Sequence, residues 1–271
     1  MMHKEIEVDV DDMIAKSYTT IDHLIDLRKL FKRLIKYRLR LNPNKCIFRA
    51  SSGKLLGFIV NQRGIEVDPA KFQAIRDMPT PQTKKQICRF LGKVNYIARF
   101  IVQLTATCDL LFKLLKKDTK IEWTNECQTA FDKIKEYLLN PLVLVPSMSR
   151  SSLILYLAIQ EASIGCMLGQ MAKPDQRERA IYYLSKKFTN YEINYITIEK
   201  TCCALAWASR KLWQYMLYYT TQLISHMDPI KYMFEKLALT GKISRWQMLL
   251  SEFDIVFVTR KAIKGQAISI S

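Results

Sequence analysis

Residues 153–203 read LILYLAIQEASIGCMLGQMAKPDQRERAIYYLSKKFTNYEINYITIEKTCC, and this stretch decides the fold of the second half of the chain. It contains three short apolar runs, each bounded by polar residues: 153–159, 164–170 and 180–185. Such runs are typical of strands, and the first two predict a hairpin. From Thr197 onward, apolar residues recur every three or four positions. This spacing predicts an amphipathic helix with Thr197 as its N-cap and Glu199 in its first turn.

Three acidic residues occupy informative places in this pattern. Glu161 follows the first predicted strand, Glu199 begins the helix, and Asp228 ends another short strand, with Pro229 placed to start the next helix. Carboxylates from separate elements that converge on one point suit a two-metal phosphodiester site, because Mg²⁺ takes few protein carboxylates in a strict octahedron. Each acid is also explained as an ordinary surface or capping residue, and the helix dipole alone favours Glu199 at its position.

Four motifs in this half resemble the ribonuclease H domain of gypsy-type long-terminal-repeat retrotransposon polyproteins, in the versions found in plants. They are YYLSKKFTNYE at 182–192, EKTCCALAWA at 199–208, MDPIKY at 227–232 and RWQMLLSEFDI at 245–255. The resemblance implies an α/β domain over 153–271 with a mixed five-stranded sheet, a two-metal site for Mg²⁺ or Mn²⁺, and hydrolysis of RNA in RNA:DNA hybrids.

The same resemblance assigns metal-binding and catalytic roles to Glu161, Glu199 and Asp228. Glu161 stands where the family has an Asp, and the family's fourth acid, which opens the last helix, falls on Ile270. We therefore expect a domain truncated at its last helix. A misplacement of about 1 Å can cost about a hundredfold in rate, so we also expect ribonuclease H activity that is weak or absent.

The N-terminal part predicts an α+β arrangement of hairpins around one helix. A strand-like stretch carries Asp11 and Asp12 at its turn, a helix follows, and a second hairpin is predicted over 47–60 with its turn at 51–54. Together with LNPNKC at 41–46, this order resembles the last part of the reverse transcriptase palm of the same family.

The palm resemblance implies that Asp11 and Asp12 are the metal-binding acids of its YxDD turn, with Asp9 in place of the Tyr. A solvated hairpin tip is the alternative explanation for the two acids. The family's other polymerase Asp lies on a strand before this turn, so we expect no polymerase activity from this chain by itself.

The middle of the chain predicts helices, and FLGKVNYIARFI at 90–101 resembles the thumb of the family. A thumb grips the backbone of the hybrid, which implies five candidate phosphate contacts: Lys84, Lys85, Arg89, Lys93 and Arg99. The alternative is that they form the solvated face of an amphipathic helix. The predicted domains are the end of the palm at 1–68, a helical thumb and connection at 69–146, a linker at 147–152 and the ribonuclease H-like domain at 153–271.

Composition agrees with a nucleic-acid partner. The 271 residues carry a formal charge of +17 and have a pI near 9.6, and basic side chains that neutralise phosphates supply most non-specific affinity for nucleic acids. The seven cysteines form no CxxC pair, so we expect reduced thiols in an intracellular protein. No signal peptide, membrane span or membrane partner is expected.

Two functions remain open at this point. One is an RNA:DNA hybrid-binding member of the reverse transcriptase and ribonuclease H family, with a possible upstream palm and fingers subunit. The other is a non-catalytic nucleic-acid-binding remnant or a gene fragment without function.

Overall fold

A computed structural model describes residues 6–9, 12–15, 17, 20–48, 50, 52–55, 57–61, 63–116, 122–139, 142–148, 151–172, 177–235 and 241–259. The chain divides into two compact units, Met1–Asp68 and Pro69–Ser271. Within the described residues, no helix is both long enough and apolar enough to cross a membrane.

The first unit combines two small antiparallel sheets with one long helix. Its elements are β1 (Ile6–Asp9), β2 (Asp12–Ala15), α1 (Thr20–Lys36), β3 (Ser52–Leu55), β4 (Phe58–Asn61) and β5 (Gly64–Val67). β1 and β2 pair as a hairpin, and β3, β4 and β5 form a three-stranded sheet. Leu30 and Leu34 of α1 are buried in a small cluster with Ala15 and Leu27.

The turn predicted at 51–54 was wrong. Residues 52–55 form β3, and the chain turns instead around Gly57, which has φ 72. A glycine adopts this left-handed conformation without the steric penalty of a Cβ atom. The next turn is built by Asn61, whose side-chain oxygen accepts hydrogen bonds from the backbone N–H of Arg63 at 2.8 Å and of Gly64 at 3.1 Å. Two turns therefore give three strands where one hairpin was predicted.

The second unit begins with helices. They are α2 (Pro69–Arg76), α3 (Lys84–Tyr96), α4 (Leu104–Thr107), α5 (Asp109–Lys113) and α6 (Asn125–Tyr137). Thr83 and Gln86 form a capping box at the start of α3, which satisfies backbone donors at the helix end. α3 buries its apolar face, and Phe90 packs against Phe131 of α6 with ring centroids 4.7 Å apart. The pattern of apolar residues thus produces the predicted helices.

The remainder of this unit is a mixed sheet with helices. The strands are β6 (Leu153–Ile159), β7 (Ser163–Ala172), β8 (Arg177–Lys187), β9 (Thr221–Ile224) and β10 (Ile255–Phe257), and the helices are α7 (Thr197–Lys211), α8 (Trp213–Met216), α9 (Pro229–Glu235) and α10 (Gly241–Leu250). The strand order is β10-β9-β6-β7-β8. β6, β7 and β8 are antiparallel, whereas β9 runs parallel to β6 and β10 parallel to β9. The predicted mixed five-stranded sheet is confirmed.

Helix α7 begins at Thr197, so its N-cap lies one residue before the predicted position. Ile196 occupies the N-cap position without a side-chain hydrogen bond, so the prediction of Thr197 as the N-cap was wrong. The side chain of Thr201 reaches back to the Thr197 carbonyl at 3.0 Å. Glu199 still lies in the first turn, as predicted.

The two faces of the sheet are covered differently. On one face, fully buried side chains such as Leu155 and Leu223 join Leu205 of α7 in the main core. On the other face, Thr105 of α4 bonds Ser185 of β8 through its N–H and its hydroxyl, at 3.0 and 2.8 Å. This second face is therefore held by the helical segment that precedes the sheet in sequence.

The segment between the helices and the sheet is fastened to β7. The side chain of Gln170, which is 3% exposed, accepts from Met148 N–H and donates to the carbonyls of Met148 and Ser151 at 2.7, 3.0 and 2.7 Å. These bonds satisfy a buried amide and fix the path of the chain into β6.

Candidate acidic site and nucleic-acid interface

The parallel pairing of β6 and β9 fixes where two of the predicted acids lie. Tyr156 of β6 is opposite Ile224 of β9, so both strands run out at the same edge of the sheet. Glu161 follows β6 and Asp228 follows β9 within a few residues of this edge. Neighbouring parallel strands therefore place Glu161 and Asp228 at one end of the sheet.

Helix α7 brings Glu199 to the same end. The ammonium of Lys200 donates to the backbone carbonyl of Glu161 at 3.2 Å. One turn from the start of α7, the Cys202 thiol donates to the carbonyl of Pro229 at 3.8 Å. The first two turns of α7 thus contact both the turn that carries Glu161 and the start of α9.

Each acid has a distinct environment. Glu161 is exposed on its turn, whereas the Glu199 side chain is 14% exposed and its Oε2 lies 2.7 Å from Lys242 Nζ. Asp228 caps α9, because its Oδ1 accepts the backbone N–H of Lys231 at 3.0 Å.

The resemblance to ribonuclease H domains implies a divalent-metal site, and carboxylate oxygens are the ligands that Mg²⁺ prefers. Across the part of the chain that the structure describes, however, no group of three or more His, Cys, Asp or Glu side chains is arranged to hold a metal ion. Lys242 pairs with Glu199, and Asp228 caps a helix. In this arrangement the acids at the sheet edge do not fit a two-metal site.

The turn that carries Glu161 is held by a chain of side-chain amides. Gln160 Nε2 donates to Gln103 Oε1 at 3.0 Å, and the Ser163 hydroxyl donates to Gln160 Oε1 at 2.8 Å. Beside this turn lies a cleft of about 360 Å³ that Glu161 lines together with Asp109 and Lys187, which form an ion pair. The position of Glu161 therefore depends on the segment that packs on the second face of the sheet.

The acids assigned to the polymerase turn are described only in part. Asp12 is the first residue of β2, and its backbone pairs with that of Asp9 at the end of β1. Asp11 and Ile270 lie outside the described residues. The metal-binding role of Asp11 and Asp12 stays a prediction.

The five basic residues predicted to contact phosphates divide into two groups. Lys84 donates to the carbonyl of Lys116 at 2.9 Å, Lys93 donates to that of Ala74 at 3.2 Å, and the Arg99 guanidinium lies 5.4 Å from the centre of the Phe100 ring. Lys85 and Arg89 are exposed on α3. Lys85 and Arg89 therefore remain the stronger candidates for phosphate contacts.

Lys85 and Arg89 belong to one exposed row along α3, which we call the α3 outer stripe: Lys85, Arg89, Gly92 and Tyr96. Spacings of three and four residues align these positions on one face of a helix. A Cβ atom built on Gly92 meets nothing within 4 Å, and Tyr96 is 44% exposed with Lys71 Nζ 5.8 Å from its ring centre. The stripe is a basic surface with an open gap at its centre.

Two features of these sites were not predicted from the sequence. One is Gly92, although a glycine inside a helix costs about 1 kcal/mol relative to alanine and so signals a special requirement. Lys242 was also missed, because the ion pair with Glu199 joins residues 43 positions apart and leaves no local signal in the sequence.

Comparisons with known proteins agree with the fold. Residues 149–253 match the model of the RNase H-like domain found in reverse transcriptase. Over 273 residues the chain is 29% identical to the retrovirus-related Pol polyprotein from transposon 297 of Drosophila melanogaster, covering 100% of this chain and 25% of that protein. It is 26% identical over 256 residues to the transposon Tf2-3 polyprotein of Schizosaccharomyces pombe, covering 90% and 19%. The chain therefore spans about a quarter or less of these relatives.

Solved structures with a similar fold come from foamy viral protease-reverse transcriptase. In complex with double-stranded DNA its TM-score is 0.77 at 23% identity, covering 95% of this chain and 55% of that chain. In complex with an RNA/DNA hybrid the TM-score is 0.78 at 23% identity, covering 97% and 36%. The predicted similarity to retrotransposon Pol polyproteins and the predicted RNase H-like fold are confirmed.

Proposed function

We propose that this chain binds RNA:DNA hybrids and other nucleic-acid duplexes through the α3 outer stripe, and that it hydrolyses the RNA strand weakly or not at all. The observation that carries the proposal is the stripe itself. Lys85 and Arg89 are exposed on the same helical face as Gly92, which leaves room for another backbone to approach closely.

The composition of the stripe suits a sugar-phosphate backbone. Lys and Arg side chains contact phosphates without reading sequence, and an exposed tyrosine offers an apolar face to a sugar or base. The similar structures of foamy viral protease-reverse transcriptase contain double-stranded DNA or an RNA/DNA hybrid. We expect recognition by shape and backbone, with slight sequence preference.

Weak hydrolysis is proposed from the state of the three acids at the sheet edge. Glu199 is paired with Lys242, Asp228 caps α9, and Glu161 replaces the family's Asp with a longer side chain. By the same family comparison, Asp11 and Asp12 are proposed as remnants of a polymerase turn. We propose that the 271-residue chain does not extend a primer on its own.

Cleavage of a labelled RNA:DNA hybrid by the full chain, in Mg²⁺ and then in Mn²⁺, tests the enzymatic part of the proposal. We expect product at or near background, equal to that of a Glu199→Gln control, and no nucleotide incorporation on a template-primer. Efficient cleavage that disappears in Glu199→Gln would show that the three acids suffice for hydrolysis. Primer extension by the chain would overturn the proposal on polymerase activity.

We also propose that the parent element is a gypsy-type retrotransposon of the plant group, on the strength of the four motifs between 182 and 255. The alternative function is a fragment without a selected role. The two functions differ in hybrid binding, since selection does not maintain binding through particular basic residues in an inert fragment. Binding that depends on Lys85 and Arg89 favours the nucleic-acid-binding function.

A further inference from the structure

The side chain of Lys242, on α10, forms an ion pair with Glu199. Its Nζ is 2.7 Å from Glu199 Oε2, and the two side chains are 34% and 14% exposed. The same ammonium lies 4.0 Å from the centre of the Tyr195 ring. A cation held between a carboxylate and an aromatic face loses both contacts when it turns toward solvent. Lys242 is therefore a fixed partner of Glu199.

Tyr195 in turn is fixed by α10. Its ring packs edge-on against Trp246, with the ring centres 6.1 Å apart, and Trp246 lies one turn beyond Lys242 on the same helix. One face of α10 thus supplies both the Lys242 ammonium and Trp246, which packs against the Tyr195 ring that Lys242 contacts. The ion pair is part of the packing of α10 against the start of α7.

Other lysines accompany the acids at this edge. Lys200 donates to the backbone carbonyl of Glu161, and Lys231 lies in the first turn of the helix that Asp228 caps. The Lys200 ammonium thus bonds the backbone of Glu161, and the Lys231 ammonium lies 4.0 Å from Glu235 Oε1, whereas the Lys242 ammonium pairs with the Glu199 carboxylate itself. A divalent cation is attracted by an excess of negative charge, which a lysine paired with one of the acids reduces.

We propose that Lys242 is a built-in cation of this site: it neutralises Glu199 in the place of a divalent ion and keeps divalent affinity at this edge of the sheet low. This inference deepens the proposed function and rests on it only in taking the three acids as the place for a divalent ion. Hybrid binding in EDTA tests the proposed function without any divalent ion. A failure of the proposed function is therefore distinguishable from a failure of the inference about Lys242.

The test is Mn²⁺ binding to the full chain, measured by calorimetry and by water proton relaxation. Lys242→Met removes the charge and keeps an unbranched side chain against Tyr195. We expect Mn²⁺ to bind at least tenfold more tightly to Lys242→Met than to the unchanged chain. Lys242→Arg and the matched surface variant Lys133→Met, which changes an exposed lysine of α6, should stay within twofold of the unchanged chain.

Two further variants decide the outcome. The double variant Lys242→Met/Glu199→Gln should lose the gain, and Glu199→Gln alone should leave Mn²⁺ affinity within twofold. A folded Lys242→Met chain with unchanged Mn²⁺ affinity would overturn the proposal, as would an equal gain in Lys133→Met. If Lys242→Met does not fold, Glu199→Gln alone decides: a clear drop in Mn²⁺ affinity would mean that Glu199 already binds the ion despite Lys242.

Discussion

The Glu192 carboxylate joins β8, α7 and the segment between them. Lys186 of β8 donates to both of its oxygens, at 2.7 and 3.0 Å, and the thiol of Cys203 on α7 donates to Oε1 at 3.4 Å. The backbone N–H of Thr189 adds a bond at 2.8 Å. Burial raises the pKa of the Glu192 carboxyl, but the hydrogen bonds from Lys186 and Thr189 outweigh it and hold the pKa below its ordinary value of 4.5.

This lowered pKa has a defined effect on stability. The unfolded chain binds a proton at Glu192 at higher pH than the folded chain does, so stability falls as protons are added. The contribution of Glu192 is fully present above about pH 4.5 and is lost as the pH falls through the lower pKa of the folded state.

We predict that Glu192→Gln lowers the free energy of unfolding at pH 7 by about 1 kcal/mol, because it weakens charge-assisted bonds that solvent partly screens. It should also flatten the loss of stability below pH 4.5. Urea unfolding at pH 7 and pH 4 measures both effects. The matched control is Glu235→Gln, since Glu235 and its partner Lys231 are both 68% exposed. Equal effects of the two variants would contradict the prediction.

At the residue scale, sequence predicts which acids reach the sheet edge but not what they contact there. Glu161, Glu199 and Asp228 each follow a recognisable strand end or helix start, so their placement is readable from local pattern. The pairing of Glu199 with Lys242 depends on how α10 packs on α7, which no local pattern specifies. The state of the candidate site therefore had to come from the structure.

At the scale of elements, α3 has one buried face and one exposed face. The buried face consists of Ile87, Phe90, Leu91 and Val94. On the exposed face, a Cβ atom at Gly92 would meet nothing within 4 Å. A mid-helix glycine costs about 1 kcal/mol relative to alanine. The proposed function explains this cost as room for a nucleic-acid backbone.

We predict opposite effects of Gly92→Ala on stability and on binding. The added methyl group should raise the free energy of unfolding by up to about 1 kcal/mol through helix propensity, and it should weaken hybrid binding at least threefold by filling the gap in the α3 outer stripe. Thermal unfolding and fluorescence anisotropy measure the two quantities. Gly241→Ala is the matched control, since a Cβ atom there also meets nothing within 4 Å, and it should leave binding unchanged. Unaltered binding by Gly92→Ala would remove the role assigned to the gap.

The elements themselves were largely predictable from sequence. The capping box at Thr83 and the apolar spacing of α3 and α7 predict helices, and the apolar runs from 153 onward predict strands. The error at β3 arose because Gly57 and Asn61 both make turns, and the apolar pattern alone does not say which pair of strands a turn joins. The contacts of Thr105 and Gln103 with the sheet are also long-range and left no periodic signal.

At the scale of the whole molecule, the charge of +17 predicts affinity for any polyanion. Diffuse charge and a defined interface make different predictions. Binding through diffuse charge weakens equally when any two exposed cations are removed. Binding at a defined interface weakens only when particular cations are removed. The proposed function requires the second behaviour.

The salt dependence of RNA:DNA hybrid binding, measured in EDTA by fluorescence anisotropy, tests the central claim most directly. The two variants compared are Lys85→Gln/Arg89→Gln on the α3 outer stripe and Lys133→Gln/Lys211→Gln, which removes two exposed lysines elsewhere. We predict that the stripe variant reduces the slope of log affinity against log salt by about 2, roughly one per phosphate contact, and that the other variant leaves it nearly unchanged. Equal reductions in both variants would contradict a defined nucleic-acid interface on α3.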